Sequence, residues 1–451
     1  MGVIIQIGQL LLSLSILVIL HELGHFIFAR IFKTRVEKFY LFFDPWFSLF
    51  KLKKGDTEYG IGWLPFGGYV KISGMLDESM DKEQLKKPPQ PYEFRSKPSW
   101  QRLLIMLGGV TVNLVLGIII YAFVLYTWGE KYLPNQNLTD GIWCTDTLIT
   151  NLGLQNGDKV ISINGNEPRR FSDIIPEIVF GGTVMVERNG EIKEIRIPED
   201  FIGNLVNKRK SLLLYPRVPF IIVEVPDTSI NANTKFKPLD RVISINNHQF
   251  KYYDQFKTIA DTLKGQEIQI GVLRNNDTLL LSGRLDNEGL LGVTVTFPDY
   301  DEMEKLGIYD FEVRKFTFLE SIPAGLSMAK EKLGFYIKQF KLIFNFKTGA
   351  YKGLGGFGSI GGLFPPTWEW QAFWEITAFL SLILAFMNIL PIPALDGGHV
   401  TFLLYEMITG RKPSDKFMEY AQITGMIILL SLLLYANGND LFRGLQNWLG
   451  K

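Results

Sequence analysis

Residues 19–30 read ILHELGHFIFAR and set His21, Glu22 and His25 inside a stretch, Gly2 to Phe32, that is otherwise almost wholly apolar. A run of that length is a candidate bilayer-spanning helix, for which about 20 residues suffice. Ionisable groups within such a span are expensive and mark function. On a helix, residues four apart share a face with Cβ atoms about 6 Å apart, so both imidazoles can reach one metal ion. Glu22, beside the first of them, is placed to take a proton from water that such a metal activates. Histidine is scarce, His21, His25, His248 and His399 being the four in the chain, so two in one five-residue window is not ordinary scatter. The rival reading, polar residues that join buried helices, leaves the cost of burying three ionisable groups unexplained.

The chain of 451 residues is 47% hydrophobic and 21% charged, so apolar and polar stretches must be segregated along it. Its length predicts about two to four structural units. A formal charge of +1 without a basic block argues against nucleic acid as a partner. One cysteine, Cys144, excludes an intrachain disulfide and a cysteine metal cluster. Hydropathy predicts a polytopic α-helical membrane protein with four spans, at 1–32, 101–128, 371–405 and 417–437. The first span lacks the charged start and small-residue cleavage site of a secretory signal and reads as retained. Lys and Arg cluster at 30–38, 95–102 and 411–416, which assigns the 33–100 and 406–418 loops to the cytosol. Both termini and the polar block from about 129 to 370 are then expected outside.

Within that block GDKVISIN at 157–164 recurs as LDRVISIN at 239–246, 82 residues on. Alternating apolar residues running into Asn-Gly or Asn-Asn predict a strand and turn, present twice. The pattern resembles the PDZ domain, which implies PDZ-like domains at 129–216 and 217–300. The peptide-carboxylate loop of that domain is missing from both copies, and a generic duplicated β-domain is the plainer alternative. A connector follows at 301–370. It has helical spacing over 316–346, read as an interfacial helix or one packed on the domains, and a glycine-rich stretch at 353–362. That stretch lacks the Gly-Lys-Ser/Thr ending of a phosphate loop and reads as a flexible connector or membrane-surface loop. In the cytosolic block, alternation about Gly67 and Gly68 predicts a β-hairpin or looped strand over 58–75, and 77–99 reads as an exposed linker.

Two histidines leave a catalytic zinc site short of its usual third protein ligand. NILPIPALDGGH, 388–399, carries Asp396 at the end of an apolar run, just after Pro391 and Pro393 interrupt it. Broken backbone at membrane depth is tolerated only where it is buried in protein or lines a wet cavity. By the charge rule both runs enter from outside, so Asp396 and His21 are expected at similar depth. His399 is the rival third ligand, and Asp396 is preferred because it lies closer to the broken turn.

Together, His21-Glu22-x-x-His25, Asn388-x-x-Pro391-x-Pro393-x-Leu395-Asp396-Gly397-Gly398 and the duplicated outer domain resemble the site-2 protease family of intramembrane zinc metalloproteases, closest to its bacterial regulator-of-sigma-E branch. The resemblance covers nearly the whole chain. It implies that His21, His25 and Asp396 bind zinc, that Glu22 is the catalytic base and that Asn388 holds or polarises substrate. It further implies that Gly67, Gly68, Tyr69, Val70 and Lys71 form a membrane-associated β-element that pairs with substrate. Implied partners are single-span membrane proteins, anti-sigma-factor-like or remnant signal peptides, in a bacterial cytoplasmic membrane. The chain departs from the family pattern at Val110, a proline in most proteobacterial members, and at Ile383, often an asparagine there. Two other classes remain open at this point: a membrane-tethered PDZ scaffold with a structural metal, and an ion transporter using His21, Glu22 and Asp396 as a relay.

Overall fold

Leucine, isoleucine and valine dominate the first helix, α1 (Gly2–Ile31), whose 30 residues extend about 45 Å, enough to cross a bilayer at a tilt. A computed structural model describes residues 1–75, 88–207, 212–295 and 298–449 of the chain. Residues 77–87 of the expected linker lie outside the described residues. Contacts divide the chain into two units: Met1–Gly129 with Lys315–Lys341 and Leu354–Lys451, and Glu130–Arg314 with Leu342–Gly353.

Among the described residues, the first unit holds four helices long and apolar enough to span a membrane: Gly2–Ile31, Ser99–Thr127, Trp370–Ile389 and Lys416–Gln446. We label its long helices α1, α2 (Ser99–Thr127), α3 (Phe318–Ile343), α4 (Trp370–Ile389), α5 (Asp396–Thr409) and α6 (Asp415–Trp448). The expected third span is thus two helices. Pro391 and Pro393 cannot donate to a helical ladder, and the chain leaves the helix at Ile389 and resumes it at Asp396. Between them Ala394 sits at φ +81°, a strained conformation for a residue with a Cβ.

The fourth span runs past its expected end at 437. Asn437, Gly438, Asn439 and Asp440 are poor helix formers, yet three of them serve another segment, Asn439 by donating from Nδ2 to the Leu354 carbonyl at 3.1 Å. Asn437 Oδ1 accepts from the Phe357 N–H at 3.2 Å, and Asp440 Oδ2 accepts from the Gly356 and Ser359 N–H groups at 3.0 and 2.8 Å. The glycine-rich stretch is consequently no loose connector there: it forms a short helix, Phe357–Gly361, fastened to α6. α3, expected at the interface or on the outer domains, lies against the spans. A Cβ on its Gly325 would touch the Ala122 backbone of α2, and Tyr336 packs its ring on Phe379 and Phe386 of α4.

Two long strands, β1 (Val36–Lys54) and β2 (Thr57–Ile72), follow α1. They turn at Gly55, and of the two forms expected around Gly67 and Gly68 it is the looped strand that forms, β2 changing its pairing there. Both strands bend, so Lys38 pairs with Glu58 on one side and Lys71 on the other. The result is four strand segments in the order 48–54, 57–62, 36–41, 68–72. Residues 68–72 are one edge.

In the second unit the sequence repeat is a structural one. Strands Lys159–Ile163 and Gly182–Arg188 pair antiparallel in one copy, Arg241–Ile245 and Glu267–Arg274 in the other. Asp158 binds Arg188 as Asp240 binds Arg274, each with two hydrogen bonds. Asn164 Oδ1 accepts from the Thr183 N–H as Asn246 Oδ1 accepts from that of Gln269, both at 2.9 Å. Each copy has its own core, around Val160, Ile163 and Val184 in one and Val242, Ile245 and Ile270 in the other.

Candidate metal centre

Three elements meet where the ionisable groups lie. α1 presents His21 and His25 on one face, α5 presents Asp396 in its first turn, and α2 forms the wall behind them. Glycines permit the approach. A Cβ on Gly24 would overlap the Gly108 backbone and one on Gly108 the Gly24 backbone, while Gly397 and Gly398 lie against the backbone of 389–393. Small residues at membrane helix contacts serve this purpose generally. An ion pair between buried Arg102 of α2 and Glu406 of α5 ties the two helices at the other end of α5.

His21 Nε2, His25 Nε2 and Asp396 Oδ2 converge, separated by 3.2 Å between the nitrogens and by 3.2 and 3.3 Å from nitrogen to oxygen. Among the described residues this is the one trio of such donors brought together for a metal. Ligands held tetrahedrally about 2.0–2.1 Å from a zinc ion stand about 3.4 Å from each other, so the observed triangle has the edge length of that polyhedron. Asp396 Oδ2 is buried without a hydrogen-bond partner although two ring nitrogens lie beside it. Three lone pairs aimed at one point, with no proton satisfying the carboxylate oxygen, fit a small divalent cation. The donor set of two imidazoles and a carboxylate suits zinc with a fourth position open. His25 Nδ1 is 2.8 Å from the Ile105 carbonyl, which places the proton there and leaves the lone pair on Nε2, the nitrogen in the trio.

The trio opens on a cavity of about 790 Å³ whose walls include Glu22, Asn388, His399 and Gln422. His399 lines this space and stands outside the trio. Asn388 Nδ2 lies 3.4 Å from His21 Nε2, so its amide sits beside the donor triangle. Gly67, Gly68, Tyr69 and Val70 all line the same cavity, on the 68–72 edge or just before it. Gly67, at φ +143°, occupies a conformation that favours glycine and sits where β2 leaves one pairing and takes up the next. The Val70 backbone N–H faces the Glu22 carboxylate. Because strand groups alternate in direction, the N–H groups of Gly68 and Ile72 then also face away from β1. The Tyr69 hydroxyl donates to Asp44 Oδ1 at 2.8 Å; burial first, and that bond second, push its pKa far up, so it stays a donor.

Sequence reasoning assigned no role at the site to Gly109 or to the Ile105 carbonyl. A Cβ at Gly109 would stand 2.5 Å from His21 Cε1 and from His25 Nε2, so the imidazoles occupy the space a side chain there would fill. The available signal was the spacing 105, 109, 113, which places all three on one face of α2.

The family model for peptidase family M50 matches residues 9–432. Proteins named "Putative zinc metalloprotease" from Rickettsia conorii and Campylobacter jejuni are 27% and 28% identical to the chain. Each alignment covers 96% of this chain, and 97% and 92% of those proteins. The regulator of sigma E protease of Haemophilus influenzae is 25% identical, over 97% of this chain and 99% of that protein. The chain thus belongs to peptidase family M50, and it is a zinc-dependent metalloprotease.

Proposed function

We propose that this zinc metalloprotease cuts the membrane-embedded segments of single-span membrane proteins, with His21, His25 and Asp396 as zinc ligands and Glu22 as general base. The observation that carries the reading is the buried convergence of the three donors beside a carboxylate and an edge strand, in a unit with four apolar helices. Zinc, when bound, supplies a Lewis acid that acidifies water and polarises a carbonyl. Glu22 takes the proton of the attacking water and later delivers it to the leaving amine. The Asn388 amide donates to the oxygen that gains charge. A helical substrate has its carbonyls occupied, so it must unwind first, and the 68–72 edge offers replacement partners by strand addition. Gly67, Gly68, Tyr69 and Val70 form that receiving edge.

The duplicated units at 129–216 and 217–300 are PDZ-like, face the extracytoplasmic side and select substrates by the size of their outer parts. The protein is multi-pass in the bacterial cytoplasmic membrane, with the site toward the cytosol, and anti-sigma-factor-like proteins and remnant signal peptides are its substrate class. A scaffold with a structural metal is the weaker reading, because a structural zinc is closed by four protein ligands and His399 stands outside the trio.

The test is a single-span substrate reconstituted with the purified protein, its fragments mapped by mass spectrometry. Cleavage should fall inside the span. Asp396→Ala should abolish it and lose zinc, whereas His399→Ala should keep about one zinc per chain. Equal zinc loss from both variants would overturn the ligand assignment. The receiving edge has its own check: Tyr69→Pro, whose N–H faces β1, should disturb the sheet, and Val70→Pro should remove the donor to Glu22. Both should slow cleavage of every substrate, and unchanged rates would exclude strand addition here.

A further inference from the structure

His21 has a second ring nitrogen, and its surroundings are unusual. Asn113 of α2 is fully buried, and its Nδ2 lies 3.3 Å from His21 Nδ1. Its Oδ1 is buried with no hydrogen-bond partner. Its backbone carbonyl accepts from the Ser381 hydroxyl of α4 at 2.7 Å, so the residue is fixed between helices. If His21 Nε2 faces the metal, as the donor triangle requires, Nδ1 carries the proton and is a donor. An amide nitrogen opposite it would then set two donors against each other. Amide oxygen and nitrogen are assigned by hydrogen bonding and not by position, and here the bonding requires the reverse orientation.

We propose that Asn113 is a positioning residue for the metal site: its Oδ1 accepts the Nδ1–H of His21, which fixes the tautomer and ring orientation that present Nε2 to zinc. The inference rests on the reading of His21 as a zinc ligand. α2 then holds both histidines from behind, His25 through the Ile105 carbonyl and His21 through Asn113, with Gly109 leaving room between them. The backbone carbonyl is set by the helix itself. The side-chain contact is the one that a substitution can remove.

Two variants of the full-length protein in detergent separate this role from simple packing. Asn113→Leu keeps the volume and cannot accept a hydrogen bond; Asn113→Asp can accept and cannot donate. Zinc affinity is measured by competition with a graded chelator, and the Co(II)-substituted protein gives a ligand-field spectrum. Partners of metal-bound histidines are typically worth about 10–100-fold in metal affinity. Asn113→Leu should lose affinity by about that factor and shift the cobalt bands, with its melting temperature close to that of the wild type. Asn113→Asp should hold zinc at least as tightly as the wild type. Wild-type affinity and an unchanged cobalt spectrum in Asn113→Leu would overturn the proposal, as would a folded Asn113→Asp that loses zinc equally. If the Asp variant fails to fold, the Leu variant decides alone. Neither readout uses a substrate, so a failure here is distinguishable from failure of the protease reading, and loss of zinc from His21→Ala establishes the ligand independently.

Discussion

Glu22→Gln protein, purified with its full zinc complement, should cleave a single-span substrate about 10²–10⁴-fold more slowly than wild type, the usual range for a missing general base. The amide cannot take a proton from water, yet it preserves the size of the side chain and its contact with the Val70 edge. Zinc content should stay near one per chain, which separates loss of the base from loss of the metal. In cells, membranes carrying this variant should accumulate uncut single-span fragments. Near-normal cleavage by the zinc-loaded variant would mean that the base is another group.

Gly109→Ala should be as damaging by a different route. One methyl group placed 2.5 Å from each imidazole is closer than real Cβ contacts tolerate, so His21 and His25 must swing out of the ligand triangle. Overpacking of this kind usually costs about 1–3 kcal/mol of stability. The metal should suffer more than the fold, because tetrahedral coordination tolerates errors of only about 0.2 Å. Zinc measured by atomic absorption should fall to a small fraction of the wild-type value, while circular dichroism shows the helices intact. Full zinc content in Gly109→Ala would show that the helices can separate there at no cost to the site.

The amino-acid sequence carried the meeting of the three donors more fully than the framework around them. His21, Glu22 and His25 were legible because a four-residue spacing has one geometric meaning on a helix. Asp396 was legible because a carboxylate beside two prolines in an apolar run is too costly to bury unless it binds something. The wall behind them was harder to read, since a glycine such as Gly109 is visible only through what occupies its missing side chain. Around Gly67 and Gly68 a hairpin and a looped strand stood open, and the structure forms the looped strand. Alternation reports that a segment is strand, and not which neighbour each half of a bent strand takes. The end of α6 was misplaced because Asn437 and Asp440 cap a segment some 80 residues away, a partner that local pattern does not reveal.

The edge at residues 68–72 has a consequence for what such a site can discriminate. Of its outward amides, the middle one, at Val70, faces the Glu22 carboxylate, and those of Gly68 and Ile72 stand about 13 Å apart. An incoming chain that docks on both is held at fixed phase relative to the carboxylate between them, as a tape is held by two sprocket teeth. Slippage by one residue would turn its amides and carbonyls to the wrong side. Under the proposed strand addition, the template measures whether a stretch of backbone can be made straight and bare, and is nearly blind to which side chains it bears.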